Sequence, residues 1–187
     1  MYEQPKEEQS ELIFAAKMIS DEPENKDRSF VIRFSTEDDE IKIWENEMSG
    51  FRGGFFYKSP HYRNKGPFDP SIAYLGSEIT INLTKFKLVD APDITFNLME
   101  SQPEKYPFSD LNKVCEKLRE LKSPEELQNQ FKKYDKDNIG RILLSDALKL
   151  FKEEFPELND QEIKTVMRRY RFYNTNRFDY SDLLFTM

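Results

Sequence analysis

The chain has almost no cysteine and almost no histidine: Cys115 and His61 are the single examples among 187 residues. One thiol forbids an intramolecular disulfide and fits a reducing compartment. One thiol and one imidazole cannot assemble a zinc site of the usual Cys/His kind. Glycine is scarce as well, with six residues. Gly50, Gly53 and Gly54 lack the strand-glycine-helix setting and the Lys-Ser/Thr of a phosphate loop, so they read as turn glycines. His61 lies in a polar stretch with Tyr62, Arg63 and Lys65. No nucleophile and orienting group accompany it there, so a solvated loop histidine is expected. No enzyme signature emerges, and neither catalysis nor a cofactor is expected.

Long apolar runs are also missing. The most apolar N-terminal stretch, residues 12–19, is interrupted by Lys17 and is too short to span a bilayer. The acidic residues before it are wrong for a secretory signal, so the glycosylation-like Asn82-Leu83-Thr84 loses its meaning. A net charge of −7 disfavours nucleic acid and anionic membrane as partners. What is abundant is charge, at 34%, together with a 37% apolar fraction and 14% aromatics. Such a chain packs a core and keeps a wet surface. A cytosolic or cytoskeletal protein of one sizeable or two small domains is expected.

Residues 1–28 are acidic around the apolar patch 12–19. Three readings stand: a mobile tail with a partly ordered centre, a segment that orders against a partner, or one that packs on the chain's own sheet. Residues 29–101 carry short alternating segments punctuated by Gly and Pro. Phe30, Ile32 and Phe34 share one face of a strand, and Ile41 with Ile43 repeats the pattern after the acidic turn 36–39. Strands 55–57, 79–81 and 86–88 follow, and the run closes on residues 94–99. Phe30, Phe34, Phe56, Tyr57, Tyr74 and Phe86 are expected in the core. Trp44 is out of phase with Ile41 and Ile43 and is expected to face outward.

This order of pieces resembles the doublet-microtubule (DM-type) domain of ciliary ribbon proteins. The matching residues are Ile32 and Phe34, the Glu37-Asp38-Asp39 turn, Ile41 and Ile43 before Glu45, and Ser49-Gly50. Gly53-Gly54-Phe55-Phe56, Gly76, Ile79 and Ile81, Phe86 and Leu88 into Asp90-Ala91, then Thr95 and Met99, complete the match. The resemblance implies a pleckstrin-homology-like β module used for docking.

Residues 102–108, with two prolines, read as a linker to a helical region, 109–187. Ser109 or Asp110 caps a helix whose stripe is Leu111, Val114, Leu118 and Leu121, with Cys115 beside it. Ser123, Pro124 and Glu126 restart a helix with a capping box, and Leu127, Phe131 and Tyr134 extend its apolar face. Residues 135–146 then have the form of an EF-hand loop, and residues 171–182 form a second, degenerate one at the spacing of a paired EF-hand. Ile142 and Phe178 are placed to bridge the two. The overall expectation is an α+β chain, a β module followed by an all-α EF-hand-like pair.

Calcium asks for six to eight oxygens, including a bidentate carboxylate at loop position twelve. The first loop offers Asp135, Asp137 and a short Asp146, but Ile139 stands at position five. In the second, Arg171 stands at position one and Asn176 replaces the turn glycine. Both are expected to keep the fold and lose the ion, the first retaining weak affinity at most. Two basic clusters stand out: Lys58, His61, Arg63 and Lys65, and Arg168, Arg169, Arg171 and Arg177. With Trp44 they are candidate contacts for an acidic partner, or simply solvated faces.

A DM-type module before an EF-hand pair resembles EF-hand-containing ciliary ribbon proteins. That resemblance implies a non-enzymatic microtubule inner protein of the axoneme, contacting tubulin and neighbouring inner proteins. The expected mechanism is mechanical: the β module presents strands and loops to tubulin, and the EF-hand pair grips a neighbouring inner protein or an exposed partner helix in its groove. The alternatives are a calcium-responsive adaptor and, with less support, a module acting in trans on a nucleoside-diphosphate-kinase-like enzyme.

Overall fold

A computed structural model describes residues 11–35, 40–48, 52–59, 69 and 72–187. The chain divides into two compact units, Met1–Ser101 and Gln102–Met187. The first unit is a curled, pleckstrin-homology-like antiparallel sheet followed by an α-helix, and the second is helical, so the chain is α+β.

The first unit holds β1 (Glu11–Ile19), β2 (Ser29–Ser35), β3 (Ile41–Glu45), β4 (Gly54–Ser59), β5 (Glu78–Ile81), β6 (Thr84–Asp90) and α1 (Asp93–Ser101). The strand order is β4-β3-β2-β1-β6-β5. β1 is therefore central, paired on both edges. Leu12, Phe14 and Ala16 point into the core at 0–1% exposure, while Ile13 and Ala15 point away. Of the readings for residues 1–28, a tail is thus corrected for 11–19, which pack on the chain's own sheet. The closing segment 94–99 lies in a helix, burying Thr95, Phe96 and Met99.

β1 runs past the end of β6 at a register shift between Ala15 and Ala16. There the ladder bonds are supplied by a side chain. Ile13 N–H donates to Thr95 Oγ1 at 3.0 Å, and the Thr95 hydroxyl is 3.2 Å from the Ile13 carbonyl. One threonine on α1 thus takes the place of a neighbouring strand. Edge-to-face rings fill the core, with Phe30 at 5.2 Å from Phe56 and 5.1 Å from Phe86. Phe56 is nevertheless 38% exposed, and Tyr57 and Tyr74 are half-buried, so these three are rim rather than centre. Gly53, at φ +63°, leaves no room for a side chain: a Cβ there would lie 2.6 Å from the Glu47 nitrogen.

The second unit contains α2 (Leu111–Leu121), α3 (Pro124–Lys132), β7 (Arg141–Leu143), α4 (Leu144–Glu154), α5 (Asp160–Arg169), β8 (Arg177–Asp179) and α6 (Tyr180–Thr186). Its ends are fixed by local chemistry. Asp110 accepts from the Asn112 and Lys113 amides, and Ser123 with Glu126 and Asn159 with Glu162 form complete capping boxes. β7 and β8 pair with Ile142 opposite Phe178, both buried. Residues 102–108 are part of this unit: Tyr106 is 3% exposed, and the Phe108 carbonyl accepts from the Thr165 hydroxyl. The expected linker is packed structure.

Candidate functional site

The first loop carries a carboxylate where an ion's first ligand belongs, but that carboxylate is already committed. Asp135 is 4% exposed. Its Oδ1 accepts from Ile139 N–H at 3.2 Å, and its Oδ2 accepts from Gly140 N–H at 2.8 Å and from the Tyr180 hydroxyl at 2.7 Å. Burial pushes the Asp135 carboxyl up, but the Tyr180 hydroxyl and the backbone N–H groups of Gly140, Ile139 and Asn138 more than offset it and hold it below the usual range. The reciprocal effect on Tyr180 is larger. Burial, the hydrogen bond to Asp135 and the charges of Asp135 and Asp179 push its phenol up to about 12.

The remaining ligand positions do not compensate. Ile139 presents an apolar side chain, Asp137 is exposed and Asp146 is half-buried in the first turn of α4. Among the described residues, no group of three or more His, Cys, Asp or Glu side chains is placed to hold a metal. The donor set of this loop does not fit calcium. Tyr180 occupies the chemistry instead, and its ring stacks on Phe131 at 5.0 Å.

The second loop is rebuilt around arginine. Arg171 Nε donates to the Thr175 carbonyl at 2.9 Å, so a guanidinium closes the loop that an ion would otherwise gather. Arg141 enters from β7, with Nε donating to Asp179 Oδ2 at 2.8 Å and its guanidinium carbon 3.5 Å from the Phe172 ring centroid. Asp179 also accepts from the Ser181 hydroxyl and from Asp182 N–H, capping α6. Burial pushes the Asp179 carboxyl up, but Arg141, Ser181 and Asp182 outweigh it, leaving it below the usual range. Asp179 and Asp182, at loop positions nine and twelve, are structural here.

The expected free groove for a partner helix is filled. α2 lays Val114, Cys115 and Leu118 into the same core as Phe151, Phe155, Ile163, Val166 and Leu183. Polar ties hold it on three sides. Lys117 Nζ donates to both Glu162 oxygens at 3.0 Å and to the Glu157 carbonyl at 2.8 Å. Lys122 pairs with Glu154, and Arg119 donates to the Thr186 and Met187 carbonyls. Burial pushes the Cys115 thiol up, and its sulfur is 3.8 Å from the Tyr170 hydroxyl. Leu111 is only half-buried and Leu121 is 37% exposed, so the working stripe is shorter than the sequence pattern.

Of the candidate contact residues, Trp44 sits on the outward face of the first unit. It meets Phe55 edge-on at 6.0 Å, and the Arg33 guanidinium lies 5.2 Å from its ring. The strand register places Val31, Trp44 and Phe55 in one cross-strand row and Arg33, Lys42 and Lys58 in the next. Lys58 pairs with Glu40 at 2.8 Å, and Lys42 shares that carboxylate. The two lysines hold Glu40 below its ordinary range. Arg33, Lys42 and Phe55 were not anticipated: Lys42 is two residues from Trp44 on one strand and so was legible, whereas Arg33 joins through cross-strand pairing and Phe55 through the register shift between Ile43 and Trp44. His61, Arg63 and Lys65 lie outside the described residues. In the second unit Arg168 is half-buried, while Arg169 and Arg171 are exposed. Arg169 lies 3.9 Å from Asp182.

Comparison with known proteins agrees with this division. A DM10 domain profile matches residues 2–95. Over 181 residues the chain is 30% identical to EF-hand domain-containing family member C2 of Bos taurus, covering 86% of this chain and 24% of that protein. The Danio rerio protein of the same name is 29% identical over 175 residues, covering 85% and 23%. Myosin 1 light chain cam2 of Schizosaccharomyces pombe is 34% identical over 71 residues, covering 38% of this chain and 50% of that protein. The chain spans about a quarter of the length of the C2 proteins it matches. With the profile running through β1–β6 into α1, the chain belongs to the DM10 domain family.

Proposed function

We propose that this chain is a non-enzymatic docking protein of ciliary doublet microtubules, an inner protein that binds tubulin and neighbouring inner proteins and stiffens the axonemal lattice. The observation that carries the reading is the outward face of the DM10 unit. A basic row, Arg33, Lys42 and Lys58, offset in part by Glu40 between the lysines and Glu11 near Arg33, runs beside an apolar row, Val31, Trp44 and Phe55, on a sheet stiffened by pairing on both sides of its central strand. Tubulin is acidic, so charge complementarity orients the approach while the aromatic row supplies buried area. The helical unit serves as a rigid spacer. Its loops need no ion, because Tyr180 and Arg171 take over the bonds an ion would organise. No cofactor, nucleic acid or membrane enters this reading. It also disfavours a calcium-responsive adaptor, whose switch would need an open ligand set and a free groove.

The test is fractionation of the tagged protein from ciliated cells through detergent, rising salt and sarkosyl. Retention in the most resistant doublet fraction is the expected result. Release with the soluble matrix contradicts the reading.

A further inference from the structure

The degenerate second loop opens on a cleft of about 670 Å³ whose wall is unlike the rest of this acidic chain. Arg141, Arg169 and Arg171 line it together with Phe172, Tyr173 and Phe185. A guanidinium carries five N–H donors, and most of these are uncommitted here. Arg141 uses Nε on Asp179, and Arg171 uses Nε on Thr175. Among the described residues, the terminal nitrogens of those two arginines have no hydrogen-bond partner. Arg169 approaches Asp182 only at 3.9 Å. The two carboxylates in the wall are therefore partly consumed in orienting arginines, with Asp179 also engaged by Ser181 and the Asp182 amide.

Two aromatic rings flank these forks in water. Phe185 is 90% exposed in the last turn of α6, and Tyr173 is 80% exposed in the loop. Tyr173 also holds a left-handed backbone conformation, φ +45°, and its ring meets Phe172 edge-on at 4.6 Å. A large ring on a non-glycine residue at positive φ is an unfavourable arrangement for an isolated loop. It leaves the ring outside the core, beside the arginines.

We propose that this cleft binds an acidic peptide segment of a partner protein, with glutamate or aspartate carboxylates on the arginine forks and an aromatic or aliphatic side chain between Phe185 and Tyr173. Planar guanidinium forks match carboxylates in geometry as well as charge. The exposed rings give the peptide's apolar residue a surface to cover. The inference rests on the reading of the chain as a docking protein, but does not require the partner to be tubulin.

The experiment is fluorescence anisotropy of a short labelled peptide of glutamates around one phenylalanine, titrated with the full chain. Saturable binding that weakens with added salt is expected. Arg169→Glu with Arg171→Glu lowers affinity by about tenfold or more, and Phe185→Ser lowers it by about fivefold. Lys149→Glu, at an exposed position of α4 that lines neither the cleft nor the basic row of the first unit, leaves it unchanged. Circular dichroism establishes that each variant is folded; if the double variant is not, Arg171→Glu alone decides. Absence of saturable binding by the native chain overturns the proposal, as does full-strength binding by the folded arginine variant. Equal affinity for a lysine-based peptide overturns it too. Axonemal retention of the chain is read separately, so failure here leaves the doublet reading standing on its own test.

Discussion

Replacing Tyr180 with phenylalanine removes one hydroxyl and little else. The ring keeps its stacking on Phe131 at 5.0 Å, so packing is nearly conserved. What is lost is the 2.7 Å bond to a carboxylate that is 4% exposed. Hydrogen bonds to charged groups contribute about 1.5–3 kcal/mol. Asp135 retains its bonds from Ile139 and Gly140, so the expected loss at neutral pH is about 2 kcal/mol. Urea unfolding supplies the number, with hydrogen exchange in α3 and α4 assigning it to the second unit.

The pH dependence gives the sign. The Tyr180 phenol is raised to about 12 in the folded chain, against about 10 when unfolded. Its contribution is complete below pH ~10 and is lost as pH rises through ~12. Asp135 is held below its ordinary value, so its contribution is complete above that value and is lost as pH falls through the folded one. The stability gap between native chain and Tyr180→Phe is therefore widest at neutral pH and narrows toward both extremes. Added calcium stabilises neither protein. A gap below about 0.5 kcal/mol at pH 7, or one that persists unchanged above pH ~12, refutes the assignment of Tyr180 as the group that replaces the ion.

Gly140 sits at φ +77°, and an added Cβ would lie 2.8 Å from Ser181 Oγ; Gly140→Ala is expected to cost about 2–3 kcal/mol in urea unfolding. Thr95→Val strips Ile13 of both surrogate ladder bonds and should cost about 1–3 kcal/mol, with faster hydrogen exchange at the Ile13 amide. Leu118, 0% exposed in the helix that fills the groove, should cost about 2–5 kcal/mol on replacement by alanine, measured the same way. Leu83 is 97% exposed at φ +65° in the β5–β6 turn, so Leu83→Gly should raise stability by about 1 kcal/mol.

The helical unit was legible because its signals are local. Asp110, and Ser123 with Glu126, cap the helices their types suggest, and the loop spacing alone paired Ile142 with Phe178. β1 was less legible because its place depends on partners far along the chain, Phe30 opposite Ala16 on one edge and Leu88 opposite Ala16 on the other. The alternation of Leu12, Phe14 and Ala16 was present, but Lys17 and the acidic flanks obscured it. Residues 94–99 carry β-branched and aromatic side chains that also suit a strand; Thr95 bonding back to Ile13 fixes them as a helix against β1. The missing ligands were visible at Ile139 and Arg171, whereas their replacement by Tyr180, 45 residues from Asp135, required the fold.

The most direct measurement is a density map of doublet microtubules from cells with and without this chain. The account predicts a density on the lumenal wall that fits the six-stranded unit, its Trp44 and Phe55 face turned to tubulin, and that vanishes when the chain is absent. Identical maps, or a difference confined to the outer surface of the doublet, would contradict it.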